Sequence, residues 1–220
     1  MAEIIGMEVG SLTVCCYLVF SAPAQPDNPV PCVIIDPGGD AGKISECMKQ
    51  RGLEPEAILL THSHADHIGG VEEILAAWPG CKVICSEETS RRAGDPRLNL
   101  SSFIGEPFRI SPASRFLGDG EEFTLAGLQW RAEPLPGHEP GEMVYVLNSG
   151  EALFCGDTVF AGSVGRSDFP GGDGVLLVEG IKRLLPLFLP ATPLYPGHGP
   201  ASTAGRELKT NPFLQGFPDF

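Results

Sequence analysis

The chain reads as a layered α/β domain with helices packed outside its sheets. Three observations predict this. Short strand-like runs recur along the whole sequence, several bounded by Gly, Pro, Asn or Asp as turns require. Amphipathic helical stretches fall between those runs. No repeat, charge block or linker divides the 220 residues, a length that one domain with a sizeable core often reaches. A single domain over 1–220 is therefore expected.

The first element is the apolar run 12–20, which is far too short to span a bilayer. The residues before it carry Glu3 and Glu8 and no Lys or Arg, so Ala22-Pro23-Ala24 is not read as a signal-peptide cleavage site. A buried strand is the expectation there. Further strands are expected at 31–36, 57–61, 82–85, 122–125, 129–132, 144–147, 152–155 and 193–195. Between them, Ile44, Cys47 and Met48 stand at i, i+3 and i+4, one face of a helix. Val71, Ile74, Leu75 and Trp78 form a second stripe, ended by Pro79-Gly80. A third helix is expected over 175–187, with Val178, Ile181 and Leu185 on one face and Pro190 beyond.

Composition narrows the partners. Fifteen basic against 28 acidic residues give a net charge of −13, and an acidic surface repels phosphate backbones. Nucleic acid and membrane are thus unexpected, and a small molecule is the expected partner. The seven cysteines are odd in number and include no Cys-x-x-Cys pair. They read as reduced, semi-buried residues of a cytoplasmic protein, not as a disulfide framework or thiolate zinc module.

Only five histidines occur, and three sit in Thr61-His62-Ser63-His64-Ala65-Asp66-His67. The other two lie beside glycine and proline, in Gly137-His138-Glu139-Pro140-Gly141 and Pro196-Gly197-His198-Gly199-Pro200. Neutral imidazole is the commonest metal ligand, so histidines confined to loops after strand-like runs point to one metal site. In an extended segment i and i+2 project together, which lets His62 and His64 grip one ion. Asp66 and His67, where the chain turns into a helix, point elsewhere. The expected sets are His62, His64 and His138 for one ion, and Asp66, His67 and His198 for a second. Asp157, after the run 152–155, would lie between them. Nitrogen and oxygen donors alone suit two divalent ions, zinc first, with iron or manganese admitted. Such ions lower the pKa of water to about 7, so a metal-bridged hydroxide is available as nucleophile at neutral pH.

These residues resemble the metallo-β-lactamase fold superfamily, whose signature is the same His-x-His-x-Asp-His run followed by distant His, Asp and His. The nearest branch is the glyoxalase II-like small hydrolases, which the segments Ile35-Asp36-Pro37-Gly38-Gly39-Asp40, Phe160-Ala161-Gly162-Ser163-Val164-Gly165-Arg166-Ser167-Asp168 and Asn211-Pro212-Phe213 are similar to. The resemblance implies a four-layer αββα sandwich with metals at one edge between the sheets. It also implies hydrolysis of S-(2-hydroxyacyl)glutathione thioesters, or a related ester, to an acid and a thiol. Asp66 would help orient the hydroxide, and Arg166 stands where the resemblance places a substrate contact. An ion pair between Arg166 and Asp168 is the competing expectation.

Two features depart from the pattern. Family members often carry threonine after the third histidine, where this chain has Glu139, with Glu142 close behind; these carboxylates either tune water near the metals or face solvent, and solvent is the favoured expectation. Only 22 residues follow His198, so the glutathione-binding helical domain of some relatives is not expected, nor strong glutathione selectivity. An iron persulfide dioxygenase and a lactone or β-lactam hydrolase are rival activities on the same fold. A non-catalytic metal-binding member would be expected to have lost ligands, and all seven positions are filled here. Asp36 is expected to shape a turn or orient a ligand, and Cys155 to be a buried thiol.

Overall fold

A computed structural model describes residues 2–21 and 28–215. The first sheet comprises β1 (Ala2–Val9), β2 (Val14–Ser21), β3 (Val30–Ile35), β4 (Leu53–Leu59), β5 (Lys82–Cys85) and β6 (Arg115–Phe116), in that spatial order. The second holds β7 (Glu122–Leu125), β8 (Leu128–Pro134), β9 (Met143–Leu147) and β10 (Ala152–Gly156). A small hairpin, β11 (Val159–Phe160) with β12 (Ser163–Val164), follows. Strands β13 (Pro193–Pro196) and β14 (Ser202–Thr203) then complete the second sheet, in the order β14-β13-β10-β9-β8-β7. Helices α1 (Ala41–Gln50), α2 (Ala65–Ile68), α3 (Val71–Ala77), α4 (Glu87–Ala93) and α5 (Ser101–Ile104) belong to the first half. Helices α6 (Gly174–Leu184) and α7 (Ala204–Thr210) belong to the second.

Strand alternation produces the layers. On β2, Val14, Cys16 and Leu18 pack with Ile44 and Met48 of α1 and with Val71 and Ile74 of α3. Their neighbours Cys15, Tyr17 and Val19 point the other way, onto Phe123, Trp130, Tyr145 and Phe154 of the second sheet. That sheet's outer face, including Val144, Val146, Leu153 and Cys155, packs on Leu177, Ile181 and Leu184 of α6. Side chains of period two thus feed three apolar layers, and the architecture is the αββα sandwich.

The expected elements are present with shifted ends. The strand expected at 12–20 begins at Val14, because Thr13 turns with φ 53°; Ala22-Pro23-Ala24 lies outside the described residues. Strand β4 starts four positions before Ala57, at Leu53. Its Pro55 sits at a register shift opposite Cys32/Val33, where the missing amide donor does no harm. Strand β1 lacks an alternating apolar signal and is held by an eight-residue antiparallel register with β2. The third helix closes at Leu184 and passes into a 3₁₀ turn over Leu185–Leu187, where Pro186 cannot continue the ladder.

Direction of strands positions the site. β3 and β4 run parallel in the first sheet, and β10 and β13 run parallel in the second. β8 shares their direction, since both it and β10 are antiparallel to β9. Loops leaving these strands therefore gather at carboxyl ends, where open α/β sheets bind ligands. Four hydrogen bonds staple the sheets together there. Tyr17 Oη donates to the Pro196 carbonyl at 2.7 Å, and the Cys15 amide to Gly197 at 2.6 Å. Tyr145 Oη donates to the Leu60 carbonyl at 2.7 Å, and the Met143 amide to Thr61 at 2.9 Å.

Candidate metal centre

Every residue assigned to the metal site from sequence stands in one of those loops. His62 and His64 follow β4, and Asp66 and His67 open α2. His138 follows β8, Asp157 follows β10, and His198 follows β13. The structure brings all seven together. His62, His64 and His138 present nitrogens that lie within 4.8 Å of one another, and so do the donor atoms of Asp66, His67 and His198. His138 Nε2 is 2.9 Å from His64 Nδ1, and His198 Nε2 is 3.2 Å from Asp66 Oδ2. Asp157 stands between the two sets. Its Oδ2 is 3.7 Å from both His138 and His198 Nε2, and its Oδ1 is 3.4 Å from His67 Nε2.

The donor atoms are aimed by groups behind them. Asp36, whose backbone takes the left-handed φ of 48°, accepts from the Thr61 amide and hydroxyl at 2.8 and 2.6 Å. With its own proton committed to Asp36, Thr61 Oγ1 accepts from His62 Nδ1 at 3.0 Å. Asp36 Oδ2 also accepts from His67 Nδ1 at 3.0 Å. One carboxylate therefore fixes an imidazole of each set and leaves both Nε2 atoms inward. His138 donates from Nδ1 to the Arg166 carbonyl at 2.7 Å, which frees its Nε2. Asp36 thus orients ligand candidates, as expected.

Glu139 and Glu142 correct the expectation that they face solvent: both have 0% exposure. Glu139 Oε2 accepts from the Ser63 amide and hydroxyl at 2.9 and 2.5 Å, pinning the link between His62 and His64. The same oxygen is 4.0 Å from His64 Nε2, and Oε1 is 3.5 Å from Nε of buried Arg92. Arg92 in turn donates to the Pro170 carbonyl at 3.0 Å. Glu142 Oε1 accepts from the Asp157 amide at 2.9 Å. Charged residues in a polar loop look like surface; these are buried because each has a specific partner. Their sequence signal was adjacency to His138. Thr61, Ser63 and Arg92 carried none beyond their place beside the motif and on a helix.

Electrostatics separates the two sets. Burial holds His62 well below the ordinary imidazole range, takes His64 to about 3 and lowers His138. All three are therefore neutral at pH 7, the form that binds metal. Burial also opposes charge on His67, but Asp157 and Asp66 outweigh it and raise that imidazole. Burial likewise opposes ionisation of Asp66 and Asp157, yet His67 holds both below the usual carboxylate range. Positive charge is thus favoured between two ionised aspartates. Burial, then Asp157, pushes Glu142 well above its usual range. His62 Nε2, His67 Nε2 and Asp157 Oδ1 are buried and make no hydrogen bond. Orphaned inward donors of this kind cost free energy unless something binds them, and a nitrogen–oxygen set fits divalent ions.

Glycine lets the loops close in. A Cβ on Gly197 would lie 2.2 Å from Asp157 Oδ1 and 2.5 Å from His67 Cε1. Above this floor lies a cleft of about 370 Å³ bounded by Leu12, Leu100, Ile104 and Phe169, with Arg166 at its edge. Arg166 pairs with Asp168 through two bonds of 2.7 Å and stacks 4.0 Å over the Phe169 ring. The ion-pair expectation describes this arrangement. Cys155 is buried in the outer core, as expected.

The model of the metallo-beta-lactamase superfamily matches residues 27–206. A probable metallo-hydrolase, YqgX of Bacillus subtilis, is 36% identical over 84% of this chain and 88% of its own. The hydroxyacylglutathione hydrolase GloC of Haemophilus influenzae is 32% identical over 86% and 89%. Among solved structures, the B3 metallo-beta-lactamase BLEG-1 superposes with a TM-score of 0.89 at 35% identity, over 97% of this chain and all of its own. TTHA1623 in a di-iron-bound form gives 0.82 at 35%, over 96% and 100%. The chain belongs to the metallo-beta-lactamase superfamily, and its coarse class is that of a metallo-hydrolase.

Proposed function

We propose that this protein is a metal-dependent thioesterase of the glyoxalase II type. It cleaves S-(2-hydroxyacyl)glutathione or a related thioester to the acid and the free thiol. The observation that carries this is the convergence of two donor sets on Asp157 at the floor of an open cleft. His62, His64 and His138 would hold one divalent ion, Asp66, His67 and His198 a second, and Asp157 would touch both. When bound, the ions supply carbonyl polarisation and water acidified to a pKa of about 7.

The chain's own part is positional. Asp66 stays ionised and partly open to the cleft, so its carboxylate can accept a hydrogen bond from the attacking water and aim it. Water adds to the acyl carbon as the carbon–sulfur bond breaks, and the thiolate leaves with the bond pair and takes up a proton. Asp36, Glu139 and Thr61 keep the imidazoles from reorienting during this change. No serine or cysteine nucleophile is needed, and the buried thiol of Cys155 points away into the outer core.

Zinc suits the donor set first; iron and manganese are admitted, and the di-iron form of TTHA1623 supports testing iron. The likeness to BLEG-1 supports a second reading, opening of a β-lactam or lactone by the same centre. Seven free cysteines support a reducing, cytoplasmic setting. No helix among the described residues is long and apolar enough to cross a membrane. The test loads purified protein separately with zinc, iron and manganese. It then follows S-lactoylglutathione, a β-lactam, a lactone and a glutathione persulfide with an oxygen electrode. Thioester hydrolysis without oxygen uptake is expected, and oxygen consumption on persulfide with inert thioesters would replace this reading with a dioxygenase.

A further inference from the structure

The cleft above the metal centre has a wall that the hydrolytic reading leaves unexplained. Leu12 and Ile104, which line it, are 48% and 56% exposed, and Phe103 beside Ile104 is 75% exposed. Large apolar side chains at a cleft mouth cost hydration and mark a place where apolar surface is covered. Leu100 and Phe169 continue this surface inward, Phe169 reaching His64 edge-on at 5.7 Å between ring centroids. Apolar lining is thus present both at the exposed mouth and beside His64 of the donor set.

Charge argues in the same direction. A glutathionyl group brings two carboxylates and one ammonium, so its recognition calls for cations. Arg166 is the one Lys or Arg among the described lining residues, and its Nε and Nη2 are held by Asp168 in two bonds of 2.7 Å. The adjoining groove, bounded by Ser11, Asp66, Ile104, Glu106 and Phe108, offers two carboxylates and no Lys or Arg among its described lining residues. A peptide arm laid either way meets an apolar or an acidic surface.

We infer that the Leu12–Leu100–Ile104–Phe169 wall receives an apolar, uncharged portion of the substrate, an alkyl or aryl group next to the scissile carbonyl. Within the thioester reading, the cleft accordingly favours a related thioester with an uncharged carrier over the glutathione thioester. This rests on the thioester reading above and names the substrate class for that site.

Binding and turnover are measured on zinc-loaded protein with matched pairs. The binding pair is two non-hydrolysable thioethers, S-hexyl-N-acetylcysteamine and S-hexylglutathione, titrated calorimetrically. The turnover pair is the hexanoyl thioesters of the same two thiols. The uncharged carrier is expected to bind at least about tenfold more tightly and to show a kcat/KM higher by a similar factor. Ile104→Lys, at a half-exposed position, gives the rim a free cation and is expected to narrow both ratios at least about threefold. Equal or tighter binding of S-hexylglutathione, or ratios indifferent to Ile104→Lys, would overturn the inference. The expected binding order with neither thioester hydrolysed would uphold the wall and sink the thioesterase reading instead.

Discussion

At the floor of the cleft, His62 and His67 are wholly buried and each ring nitrogen that faces away from the centre has a partner. At the rim, Leu12 and Ile104 stand about half in solvent. The floor is polar where a fold is normally apolar, and the rim is apolar where a surface is normally polar. Each inversion costs free energy, the first through desolvated donors and the second through exposed hydrocarbon. The proposed function accounts for both: the floor would hold ions and the rim would hold substrate. Changes at the floor should therefore act through metal, and changes at the rim through substrate preference alone.

The comparison can be broken most forcefully at Asp157. Because it touches both donor sets, Asp157→Ala is expected to remove turnover to background and to lower metal content toward zero, read by elemental analysis of folded protein. Retained activity in a metal-free, folded variant would end the hydrolase account. Next in size is Gly197→Ala, whose methyl would enter contact distance of Asp157 and His67. Overpacking of this kind costs about 1–3 kcal/mol, and here it is expected to appear as lost metal affinity as well as a lowered Tm.

The groups behind the floor should be separable from one another. Asp36 orients one imidazole of each set, so Asp36→Ala is expected to weaken both ions by about 10–100-fold in chelator competition. Glu139→Gln, which acts on Ser63 and His64, is expected to weaken only the first ion by a comparable or smaller factor. Glu139→Ala would also strand the buried Arg92 charge, a loss of about 3–5 kcal/mol in denaturant unfolding. If Asp36→Ala spared the first ion, the relay through Thr61 would be wrong; if it spared the second, the direct bond to His67 would not be what aims that imidazole. Smallest of all is Leu12→Ser at the rim. It should leave metal content intact and stability within about 0.5 kcal/mol, while raising KM for an apolar thioester.

Much of this was legible in the sequence, for a physical reason. Five of the seven donor candidates are the chain's five histidines, and the convergence of all seven follows once parallel strands send their loops to one end. The alternating runs of β2, β9 and β10 and the stripes of α1, α3 and α6 likewise declare their faces. What escaped was set by tertiary contact. The mixed strand β1 gains its identity only by pairing with β2, and the proline of β4 is tolerated only because of a bulge. Glu139 and Glu142 look like surface charges until Ser63, Arg92 and the Asp157 amide are brought to them. A buried carboxylate is defined by its partners, and partners distant in sequence leave no local trace.

The most direct test of the central claim is anomalous diffraction from crystals of zinc-loaded protein, collected at the metal edge. Two peaks are expected, one against His62, His64 and His138 and one against Asp66, His67 and His198, with Asp157 beside both. A single peak, or two peaks away from Asp157, would contradict the dinuclear centre on which the proposed chemistry depends.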